Sequence, residues 1–548
     1  MSHQKTPSKE TESGVLPLAP AVDSVLQPAA AIQRHRDWLR KPALQIPVLV
    51  CLFTGAALYE AFQVSAVSNS DIWWHLRTGV WMLQNHALPH NGLFSQYDSL
   101  PWIASSWGYD VLLAGLYKLL GLRSLPVMLM GFRVVLALLT FLLAGGWRGS
   151  FWAAMLVSAV AQYICLDLEP LPIFFSVLFF GVELVLLLES HRSSSARPLF
   201  WLPLLFLLWA NLDVEFLVGL ALLSLFLLAE VIFPASRTLG ASQGNPWSTV
   251  SAATRAAAFA TSALASLVTP YGIHLFGDAF RDAYGKATFQ YLPNMYPMGF
   301  RRPRDFVLSL LVMAGFLALG RKRSWDLAKM SVMVATTLLA FRITRDGWCA
   351  VLVAVAIIGD ELCAGASTAE TLHTESATQN GVQRVSSAVV TSFLRRDKLL
   401  AAVLVAVIFV AAVISLSLPV RTNEVKSKLE KTFPVRACNF IQANNLPRPM
   451  FNPYEWGGFL IWYLPEYPVS IDGRIGLYGD DLFTHYLNVI GGGQRLESEP
   501  SFSNAGTILL EKNSEVATAL MTIPSLSSHY RVVYSDEIAV VIVPNETR

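Results

Sequence analysis

Apolar residues occur along the chain in runs long enough to cross a membrane, separated by short polar connections. The first run extends from Ile46 to Ala66. A helix needs roughly 20 residues to cross the hydrocarbon core, and windows of that length predict about eleven transmembrane helices. Their centres lie near Phe53, Leu136, Val157, Leu178, Leu205, Leu223, Ala263, Val312, Val334, Val355 and Val407. The pattern predicts a polytopic α-helical membrane protein.

Two segments depart from this pattern. The first loop is long and contains a stretch from Trp107 to Leu120 whose apolar residues, at helical spacing, predict a helix along the membrane interface. Near the end of the chain, the runs Pro468 to Asp472 and Tyr530 to Pro544 predict strands, and Val435 to Ala443 is amphipathic. The expected organisation is a disordered cytoplasmic tail (1–33), a transmembrane domain (34–420) with a long first outer loop (68–123), and a small extracytoplasmic α/β domain (421–548).

Composition agrees with a membrane protein. Hydrophobic residues make up 53% of the 548 positions and charged residues only 15%, and the mean hydropathy is +0.46. A formal net charge of +2 gives no reason to expect nucleic acid as a partner. The five cysteines are far apart and form neither a disulfide framework nor a CxxC metal motif.

Orientation follows from the basic residues of the short connections. Arginines and lysines precede the first predicted span and follow the second, fourth and eighth, where Arg148, Arg192 and Arg321 lie. Because basic residues favour the cytoplasmic side, the N-terminus is predicted to be cytoplasmic. The first loop and the C-terminal domain are then extracytoplasmic.

Acidic residues are sparse on the predicted outer face. Asp71 follows the first span and is succeeded by Trp73, Trp74 and His75. One interpretation is a capping acid flanked by interface-anchoring tryptophans, and the other is a carboxylate that binds a metal or activates a substrate. Both stay open from position alone.

A second acidic pair, Asp167 and Glu169, lies in the next predicted outer loop just before Pro170. It could cap the following helix, or it could meet the first acid. Several carboxylates with an imidazole suit Mg²⁺ or Mn²⁺, which prefer hard ligands and keep positions open for substrate phosphates. The predicted metal ligands are Asp71, His75, Asp167 and Glu169.

Arginines also occur on the outer side, against the general trend. Arg301, Arg302, Arg342 and Arg345 are the candidates. Guanidinium groups bind phosphate through paired donors, so these residues could hold a lipid phosphate or pyrophosphate. Ion pairs with neighbouring aspartates are the alternative. Arg133, inside the second span, needs a partner in the bundle interior.

Taken together, these features resemble the GT-C fold glycosyltransferases. The shared features are an acid directly after the first span, an Asp-x-Glu in the next outer loop, many spans and an external C-terminal domain. Several segments are also similar to a bacterial family of glycosyltransferase-related membrane proteins. These segments are Asp71 to Gly79, Trp209 to Leu212, Thr269 to Gly272, Arg342 to Arg345, Tyr454 to Ile461 and Ile471 to Arg474.

The resemblance implies roles for individual residues. The first-loop acid of GT-C enzymes acts on the acceptor, which implies a catalytic Asp71, and oligosaccharyltransferases bind metal through an Asp-x-Glu. The Tyr454 to Ile461 stretch is similar to their acceptor-recognising Trp-Trp-Asp-Tyr-Gly element, but the residue order differs, so peptide acceptance is not inferred. It could instead be a closely packed strand and turn. The substrate-binding candidates beyond the arginines are Trp73, Trp74, Trp456, Asp472 and Arg474.

The implied function is that of a membrane glycosyltransferase in the bacterial plasma membrane. It would transfer a hexose or pentose from a polyprenyl-phosphate-linked donor to a glycan, lipid or protein acceptor at the extracytoplasmic face. A lipid-linked saccharide transporter or flippase is an alternative, although its spans should carry more polar residues than these. A non-catalytic envelope scaffold is another, and it would leave Asp71, Asp167 and Glu169 apart.

Overall fold

A computed structural model describes most of the chain. The described residues are 42–63, 65–146, 148, 150–232, 250–285, 289, 292–321, 326–377, 422–492 and 495–545. The predicted tail at 1–33 and the predicted span around Val407 lie outside them. By its internal contacts the chain divides into two units, Met1–Cys51 and Leu52–Arg548, and the candidate site belongs to the second.

The described residues form helices and one small sheet. The helices are α1 (Pro42–Gln63), α2 (Asp71–Asn85), α3 (Trp107–Leu120), α4 (Ser124–Leu143), α5 (Phe151–Ile164), α6 (Ile173–Ser193), α7 (Leu202–Leu212), α8 (Phe216–Ile232), α9 (Ala252–Ala265), α10 (His274–Tyr284), α11 (Pro303–Gly320), α12 (Leu327–Arg342), α13 (Gly347–Ala377), α14 (Thr422–Thr432), α15 (Val435–Ala443), α16 (Tyr454–Tyr463), α17 (Ile475–Ile490), α18 (Pro500–Ser503), α19 (Glu515–Thr522) and α20 (Pro524–Ser527). The strands are β1 (Met450–Phe451), β2 (Thr507–Glu511), β3 (Tyr530–Ser535) and β4 (Ala539–Pro544).

Three helical runs within the described residues are long and apolar enough to cross a membrane. They are Trp107–Leu143, Ile173–Ser193 and Pro303–Gly320. Shorter apolar helices occupy Leu44–Leu58, Phe151–Asp167, Arg197–Leu212 and Phe216–Ile232. The chain is therefore a helical membrane protein, and the count of about eleven spans stays a prediction.

The outward faces of these helices are apolar. Leu156 is 66% exposed, Leu310 63% and Leu317 69%. Large apolar side chains at this exposure are unfavourable in water but suit a helix surrounded by lipid. The exposed apolar side chains and the helix lengths therefore both indicate that these helices lie in a membrane.

Polar side chains pair at the two ends of the bundle. At one end, which we call the site end, Arg304 of α11 contacts Asp167 before α6. At the other end, about 27 Å away along an 18-residue helix, His191 of α6 contacts Glu230 of α8. Charged groups thus have partners where the helices end, and most interior contacts are apolar.

Aspartate side chains cap the first turns of α11 and α12. Asp305 accepts hydrogen bonds from the backbone N–H groups of Arg301 and Arg302, each at 3.2 Å, at the start of α11. Asp326 accepts from the backbone N–H of Lys329 at 3.1 Å at the start of α12. These carboxylates satisfy donors that have no partner within the helix.

The C-terminal segment matches the sequence prediction in part. Val435 to Ala443 forms a helix with the same bounds, as does Trp107 to Leu120 in the first loop. The interface position of Trp107 to Leu120 stays a prediction, because these residues are part of the continuous helical run Trp107–Leu143. The sheet has the order β1-β2-β4-β3, with β1 parallel to β2 and the other pairs antiparallel.

Two local predictions in the C-terminal segment are wrong. Pro468 to Asp472 is not a strand, because it meets the first loop through a single bridge between Ser95 and Val469 instead of joining the sheet. Tyr454 to Ile461 lies in helix α16 instead of forming a strand and turn. The helix begins directly after Pro453, whose backbone is extended and which makes no side-chain capping hydrogen bond.

Close packing of two helices depends on Gly359 in α13. A Cβ at this position would collide with the backbone of Leu143 and Ala144, at the end of α4. Because backbone atoms cannot rotate away, a larger residue has to push the two helices apart.

We expect Gly359→Ala to destabilise the protein by about 1–3 kcal/mol, the usual result of overpacking a closely packed contact. Thermal unfolding of the purified protein in detergent measures the effect. The matched control is Gly131→Ala in α4, where a Cβ meets nothing within 4 Å and the higher helix propensity of alanine should be neutral or slightly stabilising. Equal melting temperatures for the two variants would contradict the packing argument.

Candidate active site

Three of the sequence motifs meet at the site end. The first is the start of α2, the second is α16, and the third is the loop Ile471 to Arg474. A Cβ at Gly458 of α16 would collide with the backbone oxygen of Ser70, and a Cβ at Gly473 would collide with the Asp71 carboxylate. Residues far apart in the sequence therefore surround one carboxylate.

Asp71 is held in place by neighbouring polar groups. Its backbone N–H donates to Asn69 Oδ1 at 2.6 Å, and its Oδ1 accepts from Trp74 Nε1 at 3.2 Å. Burial raises the pKa of Asp71 above its ordinary value of 3.8, and the nearby charge of Asp472 adds to the increase, whereas His75 and Trp74 oppose it. The side chain still keeps partial exposure. A carboxyl of this kind is suited to accept a proton.

A second carboxylate lies on the other side of Asn69. The Asn69 amide donates to Glu169 Oε2, so one side chain joins the two acidic segments. Burial raises the pKa of Glu169, and the charges of Asp71 and Asp167 raise it further, against the hydrogen bond from Asn69. Asn69 was not among the predicted site residues, although it directly precedes the motif.

Arg133 of α4 holds the loop that carries Glu169 through hydrogen bonds to its backbone. Its guanidinium donates to the backbone oxygens of Cys165 and Leu166, each at 2.6 Å, and of Leu168 at 3.0 Å. These carbonyls lie in the short turn that follows α5, where the Cys165 oxygen also accepts from the backbone N–H of Leu168. The arginine predicted to need a partner inside the bundle therefore holds the acidic loop.

The four predicted metal ligands do not converge. His75 Nδ1 lies 2.6 Å from Asp110 Oδ1 of α3, and both side chains are buried. Asp167 is exposed and pairs with Arg304 at 2.5 Å and with Arg302 at 3.8 Å. Among the described residues, no group of three or more His, Cys, Asp or Glu side chains is arranged to hold a metal ion. The ligand set does not fit a cation in this arrangement.

Asp110 is a polar residue of the site that sequence reasoning missed. It lies in the first turn of α3, and an acid in this otherwise apolar stretch was the available signal. Its partner could not be read from the sequence, because the contact with His75 joins residues 35 positions apart.

Two tryptophans predicted to bind substrate are buried packing groups. Trp73 is 0% exposed and Trp456 4%. The Trp73 ring lies 4.6 Å from the ring of Trp462 and 5.9 Å from that of Phe459, and its Nε1 donates to the backbone oxygen of Val67 at 3.2 Å. Trp73 thus packs α2 against α16. Trp74, next to it, is only partly buried.

Asp472 and Arg474 form a fully buried ion pair. Arg474 Nε donates to Asp472 Oδ1 and Nη2 to Oδ2, both at 2.8 Å, with side-chain exposures of 1% and 0%. Arg474 Nη1 also donates to the backbone oxygen of Leu93 at 2.8 Å, and the guanidinium lies 4.7 Å from the Trp102 ring centroid. The pair joins the first loop to the C-terminal segment.

The predicted phosphate-binding arginines are not equivalent. Arg345 pairs with Glu215 at 2.5 Å and with Asp346 at 3.0 Å, so its charge is already balanced. Arg301, Arg302 and Arg342 are exposed at the site end, and Arg342 lies 5.9 Å from the ring of Phe289.

Asp213 and Glu215, in the loop between α7 and α8, are both largely buried. Asp213 is 4% exposed and accepts a hydrogen bond from Ser176, while Glu215 is paired with Arg345. Burial raises the pKa of Asp213 to about 6 and that of Glu215 to about 7. Both residues therefore belong to the packed end of the bundle.

No family model and no curated protein matches the chain. Several solved structures are similar to it. ArnT from Cupriavidus metallidurans in the apo state has a TM-score of 0.41 at 15% identity, covering 90% of this chain and 97% of that one. The apo oligosaccharyltransferase of Archaeoglobus fulgidus has a TM-score of 0.48 at 12% identity, covering 93% and 75%. AglB of Archaeoglobus fulgidus, an oligosaccharyltransferase in complex with an inhibitory peptide and a dolichol-phosphate, has a TM-score of 0.44 at 10% identity, covering 90% and 74%.

We expect Arg474→Met to destabilise the protein by about 3–5 kcal/mol, because it leaves the Asp472 carboxylate buried without its partner. Thermal unfolding in detergent measures the loss. The control is Arg448→Met, which removes an exposed pair with Glu466, whose side chains are 52% and 70% exposed, and should cost no more than about 1 kcal/mol. Similar losses of stability in both variants would contradict a larger contribution from the buried pair than from the exposed one.

We expect the stability lost in Arg474→Met to depend on pH. Burial alone would raise the pKa of Asp472, but Arg474 and Tyr478 lower it below the ordinary value of 3.8. A lowered folded-state pKa adds stability above the unfolded-state pKa and loses it as the pH falls through the folded-state value. The stability difference between the wild type and Arg474→Met should therefore shrink as the pH falls, first where the unpaired Asp472 of the variant, whose pKa burial raises, takes up a proton, and further below about pH 4, where the wild-type pair loses its stabilising effect.

Proposed function

We propose that the protein is a membrane glycosyltransferase that transfers a sugar from a polyprenyl-phosphate-linked donor to an acceptor at the site end. The single observation that carries this proposal is the Asp71 carboxylate, which is partly exposed, positioned by Trp74 and Asn69, and kept at a raised pKa by burial. The GT-C resemblance of the sequence supplies the reaction class.

The proposed chemistry is a single displacement. The oxygen of an acceptor hydroxyl forms a bond to the anomeric carbon of the sugar, and Asp71 accepts the proton of that hydroxyl. The bond between that carbon and the phosphate oxygen breaks, and its electron pair leaves with the phosphate. A guanidinium group stabilises the negative charge on the departing phosphate. No step passes through a metal ion.

The arrangement of acids favours a catalytic site over a scaffold. Asp71, through its backbone N–H, and Glu169, through its carboxylate, both contact Asn69, so two segments about a hundred residues apart meet here. In a non-catalytic scaffold these acids need not meet, whereas here burial raises the pKa of Glu169 and the charge of Asp71 is near enough to raise it further. The exposed Arg301, Arg302 and Arg342 are the proposed phosphate contacts at this end.

We expect Asp71→Asn to reduce transfer by about 10²–10⁴-fold, the usual contribution of a positioned general base. Purified protein would be incubated with a panel of polyprenyl-phosphate sugars, with Mg²⁺, with Mn²⁺ or with EDTA. Asp98→Asn, an exposed acid of the same loop, is the control and should keep full activity. Retained sugar transfer in Asp71→Asn, with folding unchanged, would contradict the assignment of Asp71 as the general base.

The pH profile gives an independent test of the base. Because Asp71 must be ionised to accept a proton, the rate should fall as the pH drops through its pKa, which burial holds above 3.8. The residual activity of Asp71→Asn should lack this acidic limb. Profiles of the same shape in wild type and variant would assign the proton transfer to another group.

A further inference from the structure

Three carboxylates surround one guanidinium at the site end. Glu215 Oε1 lies 2.5 Å from Arg345 Nη2, and Asp346 Oδ1 lies 3.0 Å from Arg345 Nε. Asp213 is close enough to interact electrostatically with both Arg345 and Glu215. We call these four residues the Arg345 cluster.

The Arg345 cluster joins three parts of the bundle. Asp213 and Glu215 lie in the loop between α7 and α8, whereas Arg345 and Asp346 lie in the turn between α12 and α13. Asp213 also accepts a hydrogen bond from Ser176 in α6. The charge state of the cluster therefore affects how strongly these parts are held together.

The charges of the cluster do not balance when every carboxyl is ionised, because three negative charges then face one positive charge. Asp213 is 4% exposed and Asp346 3%, and the side chain of Glu215 is 13% exposed. Uncompensated charge is unfavourable at this burial, and neighbouring carboxylates oppose one another's ionisation. Uptake of protons by the cluster relieves the excess negative charge.

Neighbouring elements do not supply the missing positive charge. Within the described ranges, Arg345 is the sole cation that forms an ion pair with these acids. His75 of α2 interacts electrostatically with Asp213, but its Nδ1 is held by the buried carboxylate of Asp110. Ser176 of α6 and Cys349 of α13, which also face the cluster, bring no positive charge.

The pKa values of the two loop acids agree with proton uptake near neutral pH. Burial raises the pKa of Asp213 to about 6 and that of Glu215 to about 7, although the charge of Arg345 opposes both increases. The side chain of Arg345 is 32% exposed, which gives water access to the edge of the cluster. Protons can thus exchange between the cluster and the solvent.

We propose that the Arg345 cluster is a pH-sensitive clasp at the site end. When the cluster has bound protons, the remaining negative charge is balanced by Arg345, and the α7–α8 loop is held against the turn before α13. When every carboxyl is ionised, repulsion among Asp213, Glu215 and Asp346 loosens this contact. The clasp does not depend on the transferase proposal, because it involves no catalytic step.

The melting temperatures of the full-length wild type and Asp213→Asn in detergent, compared from pH 4 to pH 8, test the clasp. A raised folded-state pKa contributes stability at low pH, and that contribution is lost as the pH rises through the folded-state value. Asparagine keeps the shape of the side chain but cannot ionise. The variant should therefore melt close to the wild type at pH 4 and about 2–3 °C above it at pH 8. A difference that does not change with pH would overturn the proposal.

Arg345→Met tests whether the guanidinium holds the carboxylates together. Without it, three ionised carboxylates have no counter-charge, so the loss of melting temperature should be larger at pH 8 than at pH 5. Arg345→Lys keeps the charge and should recover part of the stability, and it replaces Arg345→Met if that variant does not fold. Asp98→Asn removes an exposed acid of the first loop and should melt as the wild type does at every pH. An equal loss for Arg345→Met at pH 5 and pH 8 would contradict the clasp.

Hydrogen exchange distinguishes a clasp from carboxyls that titrate without any loosening. The backbone N–H groups of Ile343 and Thr344 are hydrogen-bonded in the folded protein, so they report on the turn. Between pH 5 and pH 8, after correction for the intrinsic rate, their protection should fall by about tenfold or more in the wild type and by less in Asp213→Asn. The amides of α11 are the internal reference and should keep their protection. Constant protection of Ile343 and Thr344 in the wild type would overturn the clasp even if the acids titrate.

Discussion

The buried ion pair between Asp472 and Arg474 is the interaction on which the geometry of the candidate site depends. The arginine reaches the backbone of Leu93 and the ring of Trp102, while Tyr478 donates its hydroxyl proton to the aspartate and lies 3.3 Å from the Ser95 hydroxyl. Either charge alone would be strongly unfavourable at this depth, so the pair fixes the loop Ile471 to Arg474, and the contacts of Arg474 then hold that loop against the first loop. The consequence for the site is direct, because Gly473 lies between the paired residues and against the Asp71 carboxylate.

A second constraint comes from the transmembrane bundle. The carbonyls of the turn that follows α5 accept hydrogen bonds from Arg133 of α4. Tyr109 of α3 adds a hydrogen bond to the backbone oxygen of Pro170. Satisfying backbone groups at a helix end thus fixes the loop that carries Glu169, and Asn69 then connects Glu169 to the start of α2. The acids are held by structural requirements of the bundle as much as by their own contacts.

Local features of the fold could be predicted from the sequence, and long-range contacts could not. The helices Trp107 to Leu120 and Val435 to Ala443 have the predicted bounds because the spacing of their own apolar residues determines them. Pro468 to Asp472 is buried from Val469 onward without joining the sheet, since its partner is the first loop. His75 was expected to bind a metal and instead contacts Asp110, a choice that depends on how α2 packs against α3. In each failure, the deciding partner lies far away in the sequence.

The state of Asp71 results from a competition between two effects on one helix turn. As the first residue of α2, it lies where the helix dipole favours the ionised form and lowers the pKa. Burial works in the opposite direction, and it is the larger effect, because the pKa is raised. The basicity of the carboxylate is therefore set by how closely the C-terminal segment covers it. Any change that loosens this cover, even far from Asp71, should make the carboxylate a weaker base while leaving its position on α2 unchanged.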